Sequence, residues 1–161
     1  MKKRDEKEKG FTLLEVIVVL IIVGVIAVVA GMGIVSVVEG FIFTKMNAAT
    51  VQKGQIAMAR LFKECNNISA VTAAAPTSIT FSKAGVSASH TVALSGNTIT
   101  FDGDIVADQV GGFELGYYDS YNSAKQATWA STRRIIEITL RLTGVGGVVS
   151  EFRERVTPRN L

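Results

Sequence analysis

Glu15 is the side chain whose position most demands a chemical reason, because it precedes a predominantly apolar run from Val16 to about Val38. A hydrophobic helix of ~20 residues crosses the ~30 Å hydrocarbon layer of a bilayer. A carboxylate at the centre of such a helix costs ~2.5–3.5 kcal/mol on insertion scales, and less near the interface. A carboxylate there needs a partner or a reason.

The other reactive side chains are sparse. Asp102, Asp104 and Asp108 offer carboxylates at close spacing, and calcium takes several such oxygens. The closing Glu of a full calcium loop is missing, and Asp102-Gly103 is equally a turn signal. His90 is the only histidine; it sits in a Ser/Ala-rich stretch and is expected on an exposed turn or strand, with no His-Glu-x-x-His or paired cysteines to make a zinc site. Cys65 is the single cysteine, so no intramolecular disulfide is open to it, and it is expected as a small buried hydrophobe. No Gly-x-Ser-x-Gly or phosphate-binding loop appears, and Gly144 to Gly147 lacks the Lys-Ser/Thr of a Walker loop. These absences argue against an enzyme and against a resident cofactor, calcium at the three aspartates being the one metal candidate.

Charge excludes another class. The chain of 161 residues carries a formal net charge of +3. Lys2, Lys3, Arg4, Lys7 and Lys9 against Asp5, Glu6 and Glu8 place two of those charges in the first ten residues. The rest is close to neutral, without the clustered Lys/Arg that nucleic acid requires. Basic residues beside a membrane segment favour the cytoplasmic side, so the N-terminus is expected inside and the C-terminal part outside.

The elements that would position Glu15 follow from periodicity. Gly31-Met32-Gly33 is a site for bending or close packing within the apolar helix, since each glycine costs ~1 kcal/mol relative to Ala. After Glu39 the helix is expected to continue, now amphipathic, to Asn66-Asn67. Ile42, Met46, Ala49, Ile56, Leu61, Phe62, Cys65 and Ile68 would form its apolar face, and Lys45, Lys53, Arg60, Lys63 and Glu64 the other. Gly54 weakens that helix locally. Ala70 to Pro76 reads as a small-residue linker. Alternation then predicts strands at Ile79/Phe81, Val92/Leu94, Ile99/Phe101, Phe113/Leu115/Tyr117, Ile136 to Leu142 and Val148 to Val156. Hairpin turns are expected at Ser95-Gly96-Asn97 and Gly144 to Gly147, and Pro158 ends the last strand. The fold class is α+β, a long helix whose second half packs on an antiparallel sheet. The boundaries are 1–10, 11–38 for the membrane segment, 39–68 for the amphipathic continuation and 69–161 for the β-rich external domain.

The stretch Gly10-Phe11-Thr12-Leu13-Leu14-Glu15, preceded by a short basic leader and followed by the apolar helix, resembles the start of the type IV pilins and the pseudopilins of type II secretion. Gly ends the leader in that family, Phe usually follows, and Glu stands fifth in the mature chain. The resemblance covers Lys9 to Ala30. It implies cleavage after Gly10 by prepilin peptidase, N-methylation of Phe11, and a role for Glu15 in subunit register. The implied partners are that peptidase and methyltransferase, other pilin or pseudopilin subunits, an inner-membrane assembly platform and membrane lipid.

Two further stretches, Val110 to Asp119 and Phe152 to Leu161, are similar to the minor-pilin and J-type pseudopilin branch, which implies a minor subunit in assembly initiation. Many pilins close a disulfide near the C-terminus, and the single Cys65 departs from that. Two other readings stay open. One is a bitopic membrane protein with an external ligand- or partner-binding domain. The other is an exported protein cut by signal peptidase near Ala27 or Ala30, which leaves Gly10-Phe11 and Glu15 unexplained.

Overall fold

The computed structural model describes residues 10–161, the side chain of Ser87 excepted. The basic leader, residues 1–9, lies outside the described residues. The chain is α+β: one long N-terminal helix, α1 (Leu13–Asn66), followed by antiparallel sheets. It divides into a unit ending at Ile42 and a second unit, Phe43–Leu161.

In the first unit no helical residue is buried, and Val, Ile and Leu are exposed all round. A helix that is apolar on every side suits a hydrocarbon surrounding rather than water. Gly31 and Gly33 lie inside the continuous helical assignment.

The second unit contains eight strands: β1 (Ile68–Ala75), β2 (Ser78–Lys83), β3 (Val86–Ser95), β4 (Thr98–Phe101), β5 (Asp104–Ala107), β6 (Val110–Tyr118), β7 (Ile135–Thr143) and β8 (Val149–Val156). They form two antiparallel meanders rather than the single sheet expected, β1 to β5 in sequence order and β6-β7-β8. Main-chain bonds from Leu115 N–H to Pro76 O, 2.6 Å, and from Val110 N–H to Asn97 O, 2.9 Å, tie the meanders together. The hairpins fall where turn chemistry places them. Gly96 alone is positive in its turn, φ 60°, as a first-position glycine is in a type II′ turn, and Asp102 and Gly103 have φ 54° and 94°, the consecutive positive values of a type I′ turn.

The expected linker at Ala70 to Pro76 is instead mostly strand β1, paired with β2 through a register broken by two bulges. Small Ala and Ser side chains hide the period-2 signal, and backbone pairing supplies the order. Strand β3 likewise begins at Val86, ahead of the expected Val92 and Leu94.

The core draws on both sheets and the helix, with Leu61, Ile68, Phe81, Ile99, Leu115, Tyr117, Ile136 and Leu140 at or below 1% exposure. The helix face differs in part from the one expected: Leu61, Cys65 and Ile68 are buried as expected, and the rest is not. Thr50, Gly54, Ala57, Met58, Leu61 and Cys65 are buried, while Ile42, Met46, Ala49, Ile56 and Phe62 are exposed, Ile56 to 64%. Small residues win the buried face because the sheet approaches closely there. A β-carbon on Gly54 would overlap the Phe152 ring.

Candidate functional site

Thr12 begins the helix. Its Oγ1 accepts the Glu15 backbone N–H at 3.2 Å, and its carbonyl accepts that of Val16, also at 3.2 Å. Thr12 is therefore the N-cap and Glu15 the third helical residue, the Thr-x-x-Glu spacing of a capping box. The sequence reading missed this pattern, although its signal was in plain view. A carboxylate in the first helical turn also faces the positive end of the helix dipole, which stabilises it by ~0.3–1 kcal/mol at an exposed site. Glu15 thus has a local reason to stand where it does, beside any role between subunits.

Phe11 is 82% exposed, and Phe11, Glu15, Val16, Val19 and Leu20 line one shallow open recess. Gly10 is exposed, and a β-carbon there would meet nothing within 4 Å among the described residues. Nothing in the described fold requires glycine at that position.

The aspartates are not brought together as a metal site. Asp102 Oδ2 pairs with His90 Nδ1 at 2.6 Å, and its Oδ1 accepts the Thr91 N–H at 2.7 Å. Desolvation works to raise the Asp102 carboxyl, but these hydrogen bonds, with the nearby His90 and Lys83, hold it below its ordinary value. Asp108 accepts a hydrogen bond from Lys53 at 2.5 Å, which holds its carboxyl low as well. Asp104 opens the exposed edge of β5. Among the described residues, no group of three or more His, Cys, Asp or Glu is placed to hold a metal ion.

His90 is on strand β3, but it is half-buried rather than exposed. Its ring stacks on Phe101 with centroids 5.4 Å apart. Cys65 is 1% exposed, and desolvation with help from the adjacent Glu64 charge pushes its thiol up to about 12. It is the inert small hydrophobe expected.

The largest surprise is Glu137, 3% exposed in the middle of β7. Its Oε2 accepts Arg155 Nε at 2.8 Å, Lys125 lies 4.0 Å from Oε1, and the Arg155 guanidinium stacks 4.3 Å over the Tyr118 ring. Burial would raise this carboxyl, yet the hydrogen bonds from Arg155 and Tyr118 hold it low. The network joins the end of β6, β7 and β8 beneath the segment after Tyr118, where Trp129 meets Tyr117 edge-on at 5.7 Å. The two stretches that resemble the minor-pilin branch thus meet on either side of β7.

A long apolar helix headed by a capped carboxylate and followed by antiparallel sheets makes this an α+β class of protein with one helix long and apolar enough to cross a membrane. Within that class, residues 6–31 match the family model for the prokaryotic N-terminal methylation motif, which supports the type IV pilin and pseudopilin family and processing by a prepilin peptidase. No curated protein and no solved structure matches the chain.

Proposed function

We propose that the chain is a minor pilin or pseudopilin, cut after Gly10, methylated on the Phe11 nitrogen and built into a type IV pilus or type II secretion pseudopilus during assembly initiation. The precursor sits in the inner membrane with residues 1–10 cytoplasmic, residues 11–38 spanning, and the amphipathic helix and β-rich domain in the periplasm. Its partners are the peptidase and methyltransferase, the assembly platform and the helices of neighbouring subunits.

The observation that carries this reading is the methylation motif at the head of a helix that has no buried residue before Thr50. Cleavage creates an α-amino group with a reference pKa of ~7.7–8, cationic near neutral pH, and methylation keeps that charge. Inside a bundle of apolar helices, such an amine and Glu15 of a neighbour attract more strongly than in water. The pair offsets part of two desolvation costs and fixes the axial step between subunits. The freedom of the fold at Gly10 agrees with a demand from outside, because an extended backbone with no side chain fits a protease cleft most easily.

Gly10→Val should therefore leave a folded, uncut precursor; mature protein of normal size would remove the cleavage claim. Glu15→Gln separates the capping role from pairing, because Gln preserves the capping-box geometry while losing the charge. The variant should insert and be cleaved normally, yet lose to the parent when both are expressed in one cell and counted in isolated filaments. Equal incorporation would leave Glu15 with its local role alone.

A further inference from the structure

Hairpin tips are normally polar, as at Asn97 in Gly96-Asn97 and Asp102 in Asp102-Gly103. The tip between β7 and β8 is different. From Leu142 to Ser150 the chain carries no charge, and Val145, Val148 and Val149 are 38%, 41% and 58% exposed. The tip is built, not loose. The Gly144 N–H donates to Val148 O at 2.7 Å, and Val145–Gly147 forms a short 3-10 turn.

This tip rests on the first turns of the second unit. A β-carbon on Gly146, whose φ is 70°, would overlap the Phe43 ring, and one on Gly144 would overlap the Asn47 amide. Phe43 and Met46 are themselves 43% and 50% exposed. The Phe43–Gly146 approach therefore brings exposed apolar residues from two distant parts of the sequence near one another, Phe43 and Met46 on the helix and Val145, Val148 and Val149 at the tip.

We infer that this surface, Phe43 and Met46 with the Val145–Val149 tip, docks on the membrane interface while the subunit awaits assembly. The inference rests on the reading of residues 11–38 as a membrane span. Phe43 stands five residues after Val38, and five residues span at most ~18 Å however they run. The surface is thus tethered close to the headgroup layer, which adds only ~5–8 Å to each side of the hydrocarbon core. Apolar side chains that enter this layer leave water, and that gain is what holds an interfacial surface in place. A neighbouring subunit could claim the same side chains in a filament, in which case extraction from the membrane would exchange one cover for another.

The test uses the full chain reconstituted alone, at low protein density, in vesicles of phosphatidylethanolamine and phosphatidylglycerol. In a Cys65→Ala background, an environment-sensitive fluorophore is placed by Val148→Cys, by Ile105→Cys on exposed β5, or by Val19→Cys in the apolar segment. Spin-labelled lipids with shallow labels should quench the Val148→Cys probe several-fold more than the Ile105→Cys probe, and deep labels should quench Val19→Cys most. Val145→Asp combined with Val149→Asp should abolish the difference at position 148 while leaving position 19 unchanged. Equal quenching at 148 and 105, with 19 still quenched, overturns the docking surface and leaves the membrane span intact. Quenching at none of the three removes the span and the inference together. Protection at 148 that grows with protein density rather than with lipid assigns the surface to a second copy instead.

Discussion

One helix serves two surroundings in this chain, and the two halves show how differently a sequence is written for each. Up to Ile42, Val, Ile, Leu and Gly alternate without a preferred side and none is buried by the protein. From Thr50 to Cys65 the protein buries a narrow stripe, and that stripe consists largely of small residues, with Met58 and Leu61 the bulky members. Lipid accepts apolar side chains of any shape from every direction, so size is not selected there. A sheet at close range accepts only what fits, and the large apolar residues Ile56 and Phe62 are left outside.

The difference is sharpest when one substitution is made in both halves. Leu61→Ala removes a side chain 1% exposed in the core and should cost ~2–5 kcal/mol, the range for truncating a buried leucine. Leu20→Ala should leave the unfolding of the Phe43–Leu161 unit unchanged, since no described residue packs on Leu20 as core. Ile56→Ala should shift the midpoint by less than ~0.5 kcal/mol, as exposed positions do. Chemical denaturation of the full chain in detergent reads all three, and a large loss for Ile56→Ala would restore the helix face expected from the sequence.

That error is instructive about what a sequence displays. The helix face was read from large apolar residues, and the actual face is marked by Gly54 and Ala57, whose value is the space they leave for Phe152. The head of the molecule was legible because Gly10, Phe11 and Glu15 act through spacing along one chain. Strands β2, β4, β6 and β7 were legible because their apolar residues alternate. Strand β1 was not, since Ala70 to Ala75 alternates nothing that hydrophobicity can register. Glu137 stands inside the alternating run Ile136 to Leu142 and carries no mark of burial in the sequence, because its cover comes from Lys125, Arg155 and a segment without periodicity.

Glu137 separates the two halves on another axis, because only the sheet domain holds a buried charge that titrates against its stability. The carboxyl is held below its ordinary value in the native state, so its contribution is fully present above the unfolded value of ~4.3 and is lost as pH falls through the native value. Glu137→Gln should cost ~1–3 kcal/mol at neutral pH, the price of leaving Arg155 without its charged partner. The gap between parent and variant should stay constant down to about pH 5 and close at lower pH. A gap that persists undiminished in acid would assign the loss to packing rather than to charge.

The smallest effect gives the closest comparison, because alanine replaces glycine at two points of the same helix with opposite expected results. Alanine is favoured over glycine in a helix interior by ~1 kcal/mol. At Gly33 a β-carbon meets nothing within 4 Å, so Gly33→Ala should leave the sheet domain unchanged and make the apolar helix harder to bend. At Gly54 the same carbon overlaps the Phe152 ring, and overpacking of this kind costs ~1–3 kcal/mol. The propensity gain offsets part of that cost, so Gly54→Ala should destabilise by ~0–2 kcal/mol. The ring has somewhere to go, since Phe152 borders an open groove shared with Gln55, Met58, Ala59 and Phe62. Combining Gly54→Ala with Phe152→Leu tests the cause directly, because contacting residues should show a coupling energy that distant ones lack. If the overlap is responsible, alanine at position 54 should become neutral or stabilising once the ring is gone. A cost that survives Phe152→Leu would mean that Gly54 is required by the helix itself, and the contrast between the two halves would then lie in the backbone rather than in what surrounds it.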